Sequence, residues 1–210
     1  IECFDNSNIS GSDAVAGCVV YKNAKPSKKD YRTYNIKTVE GPDDYGSMQE
    51  VVYRRYSRLV NEGEKLPNLI IVDGGIGQME CVREVIEDKL NLYIPIAGLA
   101  KDDKHRTKEL LYGFPPLHVE IQPNHSLFRF LAGIQDEVHR FAISFHRNKR
   151  SKSQIHSALD DINGIGEKTK DTLIKKFKSV KRIKEQTEEE LAEVIGKAKA
   201  KIIFDNLHQD

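Results

Sequence analysis

Two aspartates stand where a short apolar run stops: Asp5 after Ile-Glu-Cys-Phe, and Asp73 after Leu-Ile-Ile-Val. A carboxylate at the end of a buried strand faces out of the core, and two on neighbouring central strands can share a divalent cation. Hard cations such as Mg²⁺ prefer oxygen ligands and keep waters for a substrate phosphate. Each aspartate alone also suits a turn, Asp73-Gly74-Gly75 being turn chemistry. Gly74, Gly75 and Gly77 crowd the step after Asp73, so backbone N–H groups there can approach an anion. The segment is neither a Walker loop nor a dinucleotide fingerprint, since no Gly-Lys-Ser/Thr follows and the glycine spacing differs. A third candidate is His139, one position off an apolar stripe and in line with Gln135, Ala142 and His146. Histidines beside a core face are ordinarily structural or solvated. Two of them seven apart, flanked by Arg140 and Arg147, can instead present an imidazole and guanidinium groups to a phosphate.

Elements that position these groups are legible in the pattern. Runs 1–4, 14–21 and 31–39 are β-prone and read as an antiparallel meander. Gly41-Pro42-Asp43-Asp44 is a turn in which either aspartate can cap a helix. Met48, Val51, Val52, Tyr56, Leu59 and Val60 then follow helical spacing up to Gly63. Residues 69–72 and 94–99 are short continuous apolar runs, the mark of strands buried on both faces. Between them Met79, Val82, Val85, Ile86 and Leu90 share a helical face, and 109–121 reads as a hairpin around Pro115-Pro116. A long helix is expected over about 124–150, with Leu127, Leu131, Ile134, Val138, Phe141 and Phe145 as its core stripe. The basic, polar stretch 147–154 reads as a linker.

Composition bounds the partners. With 33 Lys+Arg against 32 Asp+Glu in 210 residues, net charge +1, a globally basic nucleic-acid coat is excluded. Basic surface must be local, and Lys25/Lys28/Lys29/Arg32, Arg54/Arg55/Arg58, Lys101/Lys104/Arg106/Lys108 and Arg147/Lys149/Arg150/Lys152 are candidate patches. No apolar run approaches the ~18 residues that span a bilayer, and no secretory leader is visible. Cys3, Cys18 and Cys81, odd in number and far apart, form neither a disulfide framework nor a Cys-x-x-Cys zinc site, as expected in a reducing cytoplasm. Opening on Ile inside a strand, the sequence reads as a fragment.

The last 55 residues are a different object, helical and rich in Lys and Glu. Gly164-Ile165-Gly166 and Gly196-Lys197-Ala198 sit in similar contexts, a weak internal duplication. A Gly-x-Gly turn leaves N–H groups at the next helix's start, able to hold a nucleic-acid phosphate without reading bases. The plain alternative is a helical hairpin with glycine caps. Lys168 and Lys170 add charge beside the first turn. Ala198 stands where the second turn lacks its second glycine, so the first turn is expected to grip better.

Taken together and in order, FDNSN (4–8), GPDDYGSM (41–48) with RRY (54–56), VDGGIGQ (72–78), GLAKD (98–102), DEVHRFAISFHR (136–147) and INGIGEKTK (162–170) resemble the UvrC family, nuclease subunits of bacterial nucleotide excision repair. The resemblance covers nearly the whole chain. It implies an α/β fold: a ribonuclease-H-like mixed sheet flanked by helices over 1–153, then a small all-α tandem helix-hairpin-helix DNA-binding domain over 154–210. The implied activity is metal-dependent endonucleolytic cleavage of DNA, the 5′ incision beside a lesion, within the cytoplasmic UvrABC system of the DNA-damage (SOS) response. Catalytic roles map onto Asp5, Asp73, His139 and Asp44. Mg²⁺ or Mn²⁺ is expected on Asp5 and Asp73, one tightly held ion being favoured where a histidine replaces an acid. Gly164, Gly166, Lys168, Lys170 and Gly196, with Lys101, Arg147, Lys149 and Arg150, are the expected DNA contacts. Damaged double-stranded DNA and UvrB are the implied partners, UvrB bound mainly through regions outside this monomeric piece. Ile76 departs from the family's usual lysine in the Asp-Gly-Gly loop. Two other readings stand beside this one: a nuclease-like scaffold that binds DNA without cutting, which metal-dependent activity on lesion-bearing DNA would exclude, and a structure-specific nuclease that cuts without UvrB.

Overall fold

The computed structural model describes residues 1–7, 14–39, 41–102, 107–160 and 162–208, with backbone alone at Ser7 and over 147–157. β1 (Glu2–Ser7), β2 (Val15–Lys22) and β4 (Arg32–Asn35) form the expected antiparallel meander, and a short β3 (Lys25–Pro26) folds back on β2. β5 (Ile70–Val72) lies parallel to β1 on one side and to β6 (Ile96–Lys101) on the other. β7 (Thr107–Tyr112) and β8 (Leu117–Val119) complete the sheet as a hairpin. The order β3-β2-β1-β5-β6-β7-β8 puts β1 and β5 side by side at its centre. Ile70, Ile71 and Val72 are buried without alternation because helices cover both faces.

One face packs against α1 (Asp44–Asn61) and α2 (Ile76–Arg83), which a π-helical turn prolongs to Lys89. Asp43 is the N-cap of α1, its carboxylate accepting the Gly46 N–H. Phe4, Val72, Met48, Val52, Tyr56, Met79 and Ile86 share this core. Within it Glu2 is buried and receives Arg55 Nη2 at 2.5 Å, Arg55 Nε at 3.1 Å and the Tyr56 hydroxyl at 3.0 Å. The other face packs Cys3, Val19, Ile71 and Leu99 against Leu131, Ile134 and Val138 of α3 (Ser126–Asp160).

α3 departs from the sequence reading twice. Its buried stripe is rotated from the one expected: Gln135, Ala142 and His146 point inward, whereas Leu127 is exposed and Phe145 only half-buried. Small and polar residues face the sheet here because the helix crosses it closely. The helix also continues through 147–154, where a linker was expected. That stretch contains no Gly or Pro, and its Lys, Arg and Gln are good helix formers.

Contacts divide the chain into two compact units, Ile1–His146 and Arg147–Asp210. The second is all-helical: α4 (Glu167–Phe177), α5 (Val180–Lys184), α6 (Glu188–Ile195) and α7 (Lys197–Leu207). Its separate core holds Leu159, Ile165, Leu173, Phe177, Ile183, Leu191 and Ile203. No described helix of the chain is long and apolar enough to cross a membrane.

Candidate active site

Asp5 and Asp73 come together because β1 and β5 are parallel neighbours. Their ladder ends at Phe4–Val72, and the Asp73 N–H continues it by donating to the Phe4 carbonyl at 3.0 Å. His139 arrives from α3, with Nδ1 2.9 Å from Asp5 Oδ2 and 4.0 Å from Asp73 Oδ2. Ligand atoms of these three residues all lie within 4.8 Å of one another, the one convergent group of this kind among the described residues.

The helix comes this close because of a residue the sequence reading passed over. Gly17 on β2 pairs with Asp5, and a Cβ there would meet Ala142 Cβ and Phe141 Cδ1 at 3.2 Å. A missing side chain opposite a small one lets α3 lie near the sheet, and His139 sits three residues before Ala142. Gln135, also missed, is 1% exposed and lies one helical turn before His139. Its Nε2 donates to Asp73 Oδ1 at 2.6 Å and to the Leu99 carbonyl at 2.8 Å, while its Oε1 accepts from the Thr107 hydroxyl. The available signal was its place on the line of His139 and Ala142. Lys101, expected on a DNA-facing patch, instead puts its ammonium 2.8 Å from Asp73 Oδ2.

Burial, reinforced by the negative charge of Asp73, pushes the Asp5 carboxyl up to about 6, and the His139 hydrogen bond offsets only part of this. Two buried acids with incomplete compensation are a favourable seat for a cation. Their carboxylate oxygens are the donor type that Mg²⁺ and Mn²⁺ prefer, and the His139 imidazole stands beside them.

Other expected residues fall elsewhere. Asp44 begins α1 and is not one of the three converging groups; its carbonyl accepts from Asn6 Nδ2 at 2.8 Å, tying α1 to the residue after Asp5. His146 is buried with Nε2 unpaired, so it does not share in a phosphate-facing line with His139. The side chains of Arg147, Lys149, Arg150 and Lys152, and Lys104 and Arg106 altogether, lie outside the described residues. In the tail, Gly164 has φ +91° and Gly166 is the N-cap of α4 with no side-chain cap. Gly196, at φ +84°, is both the last cap of α6 and the N-cap of α7. Ala198 is therefore the second residue of α7 rather than a counterpart of Gly166, and the second turn is a shortened version of the first. Lys168 is exposed. Lys170 is a correction: it is buried, with Nζ 2.5 Å from Asp160 and 3.3 Å from Glu167, so its charge is satisfied internally.

Residues 1–143 match the family model described as the UvrC RNAse H endonuclease domain, and 157–208 match the SAM-like helix-hairpin-helix tandem. The chain belongs to the UvrC family. Its sheet and helices are thus ribonuclease-H-like, and its tail is a helix-hairpin-helix pair. UvrABC system protein C of Bacteroides thetaiotaomicron is 69% identical over 210 residues, 100% of this chain and 34% of that protein. The corresponding proteins of Streptococcus equi subsp. zooepidemicus and Streptococcus gordonii are 55% and 54% identical over 208 and 209 residues. The chain spans about a third of the length of these UvrC relatives.

Proposed function

We propose that this chain hydrolyses a DNA phosphodiester on the 5′ side of a lesion, with Mg²⁺ or Mn²⁺, in the cytoplasmic UvrABC repair system. The observation that carries the reading is the convergence of Asp5, Asp73 and His139 where the parallel ladder of the two central strands β1 and β5 ends. Asp5 and Asp73 would hold the cation, which when bound polarises the scissile phosphate and acidifies a water. Gln135 fixes Asp73 by occupying Oδ1 and directs its Oδ2 into the site. With Asp5 ionised, His139 donates from Nδ1, leaving Nε2 as an acceptor. His139 is half exposed, so Nε2 is available to take the proton of an attacking water. Hydrolysis forms a bond from water oxygen to phosphorus, breaks the bond to the leaving sugar oxygen, and delivers the proton to that oxygen.

The tail would hold the DNA backbone without reading sequence. Neither Gly166 nor Gly196 offers a side chain to the first N–H groups of the following helix. Lys199, in the first turn of α7, donates to Thr169 in the first turn of α4 at 3.0 Å, so the two helix starts lie side by side. The tail's 12 Lys+Arg against 11 Asp+Glu over 151–210 argue for a local grip and for reliance on a partner such as UvrB to place the cut. Asp5→Asn in the full-length protein is expected to remove the 5′ cut on an end-labelled lesion duplex and to spare the 3′ cut. Normal 5′ cutting by that variant would refute the assignment. Gly164→Ala with Gly166→Ala is expected to weaken binding to bubble-containing duplexes equally for every sequence, with steep salt dependence in the parent.

A further inference from the structure

We infer that the Lys101 ammonium is a fixed cation of this centre, sharing Asp73 with a single divalent cation and acting on the substrate phosphate. The inference rests on the nuclease reading above. Lys101 ends β6, the strand beside β5, and its Nζ sits 2.8 Å from Asp73 Oδ2, the same oxygen that His139 Nδ1 faces at 4.0 Å. Lys101 is an exposed residue whose side chain, 28% exposed, is turned onto Asp73. Two divalent ions in one site lean on several carboxylates to offset their repulsion. Here the convergent groups are two carboxylates and an imidazole, and the place beneath Asp73 that another acid might fill is occupied by the neutral Gln135 amide. Two carboxylates and one ammonium leave the cluster at a net −1, so one divalent ion brings it to +1 and a second would bring it to +3. A second ion would have to displace Lys101 or be repelled by it.

The ammonium is also placed to act on substrate. A phosphate held through a cation on Asp5 and Asp73 would lie within reach of a side chain already touching Asp73. As hydrolysis proceeds, charge gathers on the non-bridging and leaving oxygens, and a preorganised cation stabilises it most in that state. Lys101 is then a catalytic residue in the sense of contacting the reacting phosphate, and its salt bridge to Asp73 is its resting position. The same position makes it a competitor for the metal, because ammonium and divalent ion share one carboxylate. Its removal should therefore have opposite effects on metal binding and on chemistry, which simple support of the fold would not produce.

The test measures Mn²⁺ binding to the 210-residue chain by electron paramagnetic resonance, alongside single-turnover 5′ incision by the full-length protein at saturating Mn²⁺. Wild type is expected to bind one Mn²⁺ that Asp5→Asn abolishes. Lys101→Gln is expected to bind Mn²⁺ several-fold more tightly yet cut on the order of 100-fold more slowly. Lys101→Arg, which keeps the charge, should recover part of the rate; circular dichroism establishes that each variant is folded. Wild-type cutting by Lys101→Gln, weaker Mn²⁺ binding by it, or two Mn²⁺ per site in wild type would each overturn the inference while leaving the nuclease reading intact. Unchanged binding and cutting by Asp5→Asn would instead overturn the nuclease reading itself.

Discussion

Strand β1 carries two buried carboxylates three residues apart, and the fold treats them in opposite ways. Glu2 faces α1 and is answered by one edge of the Arg55 guanidinium, through Nε and Nη2, and by the Tyr56 hydroxyl. Asp5 faces α3, is equally buried, and among the described residues is answered by the His139 hydrogen bond and more weakly by the Lys101 charge, while Asp73 adds a second negative charge beside it. The first arrangement is a lock between strand and helix. The second is an incomplete electrostatic site, which a cation completes. Burial alone does not separate structure from function here; the balance of partners does.

The largest consequence is in chemistry. Asp5→Asn should slow single-turnover 5′ incision by at least ~10³-fold, whereas folded Glu2→Gln should cut at close to the parental rate. Equal losses in the two variants would dissolve the distinction.

Stability should show the reverse order. Glu2→Gln strands the buried Arg55 charge and should cost about 3–5 kcal/mol in urea unfolding. Asp5→Asn should stabilise the metal-free protein at neutral pH, by roughly 1–3 kcal/mol. The sign follows from the raised Asp5 pKa of about 6 against an ordinary 3.8. The native state holds this proton more tightly than the unfolded chain, so the associated stability is present below pH 4 and lost as pH rises through 6. The advantage of Asp5→Asn should thus be full above pH 6 and vanish near pH 4, compared in chelator at both pH values.

Smaller effects probe how the Asp5 end is held. Gln135→Met frees Asp73 Oδ1 and should cost ~10–100-fold in incision and in cation affinity. Gly17→Ala adds a methyl against Ala142 and Phe141, displacing α3 and His139. A loss of ~10-fold or less in rate is expected, with about 1–3 kcal/mol in stability. If Gly17→Ala left both unchanged, close packing of α3 would not be what delivers His139.

Much of this was legible in the chain because it rests on local pattern. Apolar runs before Asp5 and Asp73 announced central strands carrying carboxylates, although β1 continues past Asp5 to Ser7, and the Asp43-Asp44 turn announced the start of α1 without saying which aspartate caps it. What was not legible depends on which side chains meet across elements. Gln135 looked like a polar residue beside a helix stripe, and only the crossing of α3 over Gly17 turned it inward. Lys101 and Lys170 looked alike as basic residues, yet one meets a site carboxylate and the other is paired within its own unit. The rotated stripe of α3 has the same origin: Leu127 and Phe145 fit the helical period, but close packing on the sheet selects small residues at Ala142 and Gly17.

The central claim is that the under-compensated carboxylate Asp5, with Asp73 beside it, is a cation-loaded hydrolytic centre. Anomalous diffraction from crystals of this chain grown with Mn²⁺ tests it most directly. A single anomalous peak is expected within ligand distance of Asp5 and Asp73, with Gln135 still on Asp73 Oδ1. Crystals that show no peak there, or Mn²⁺ bound elsewhere while His139 and Lys101 keep their present contacts, would contradict the account.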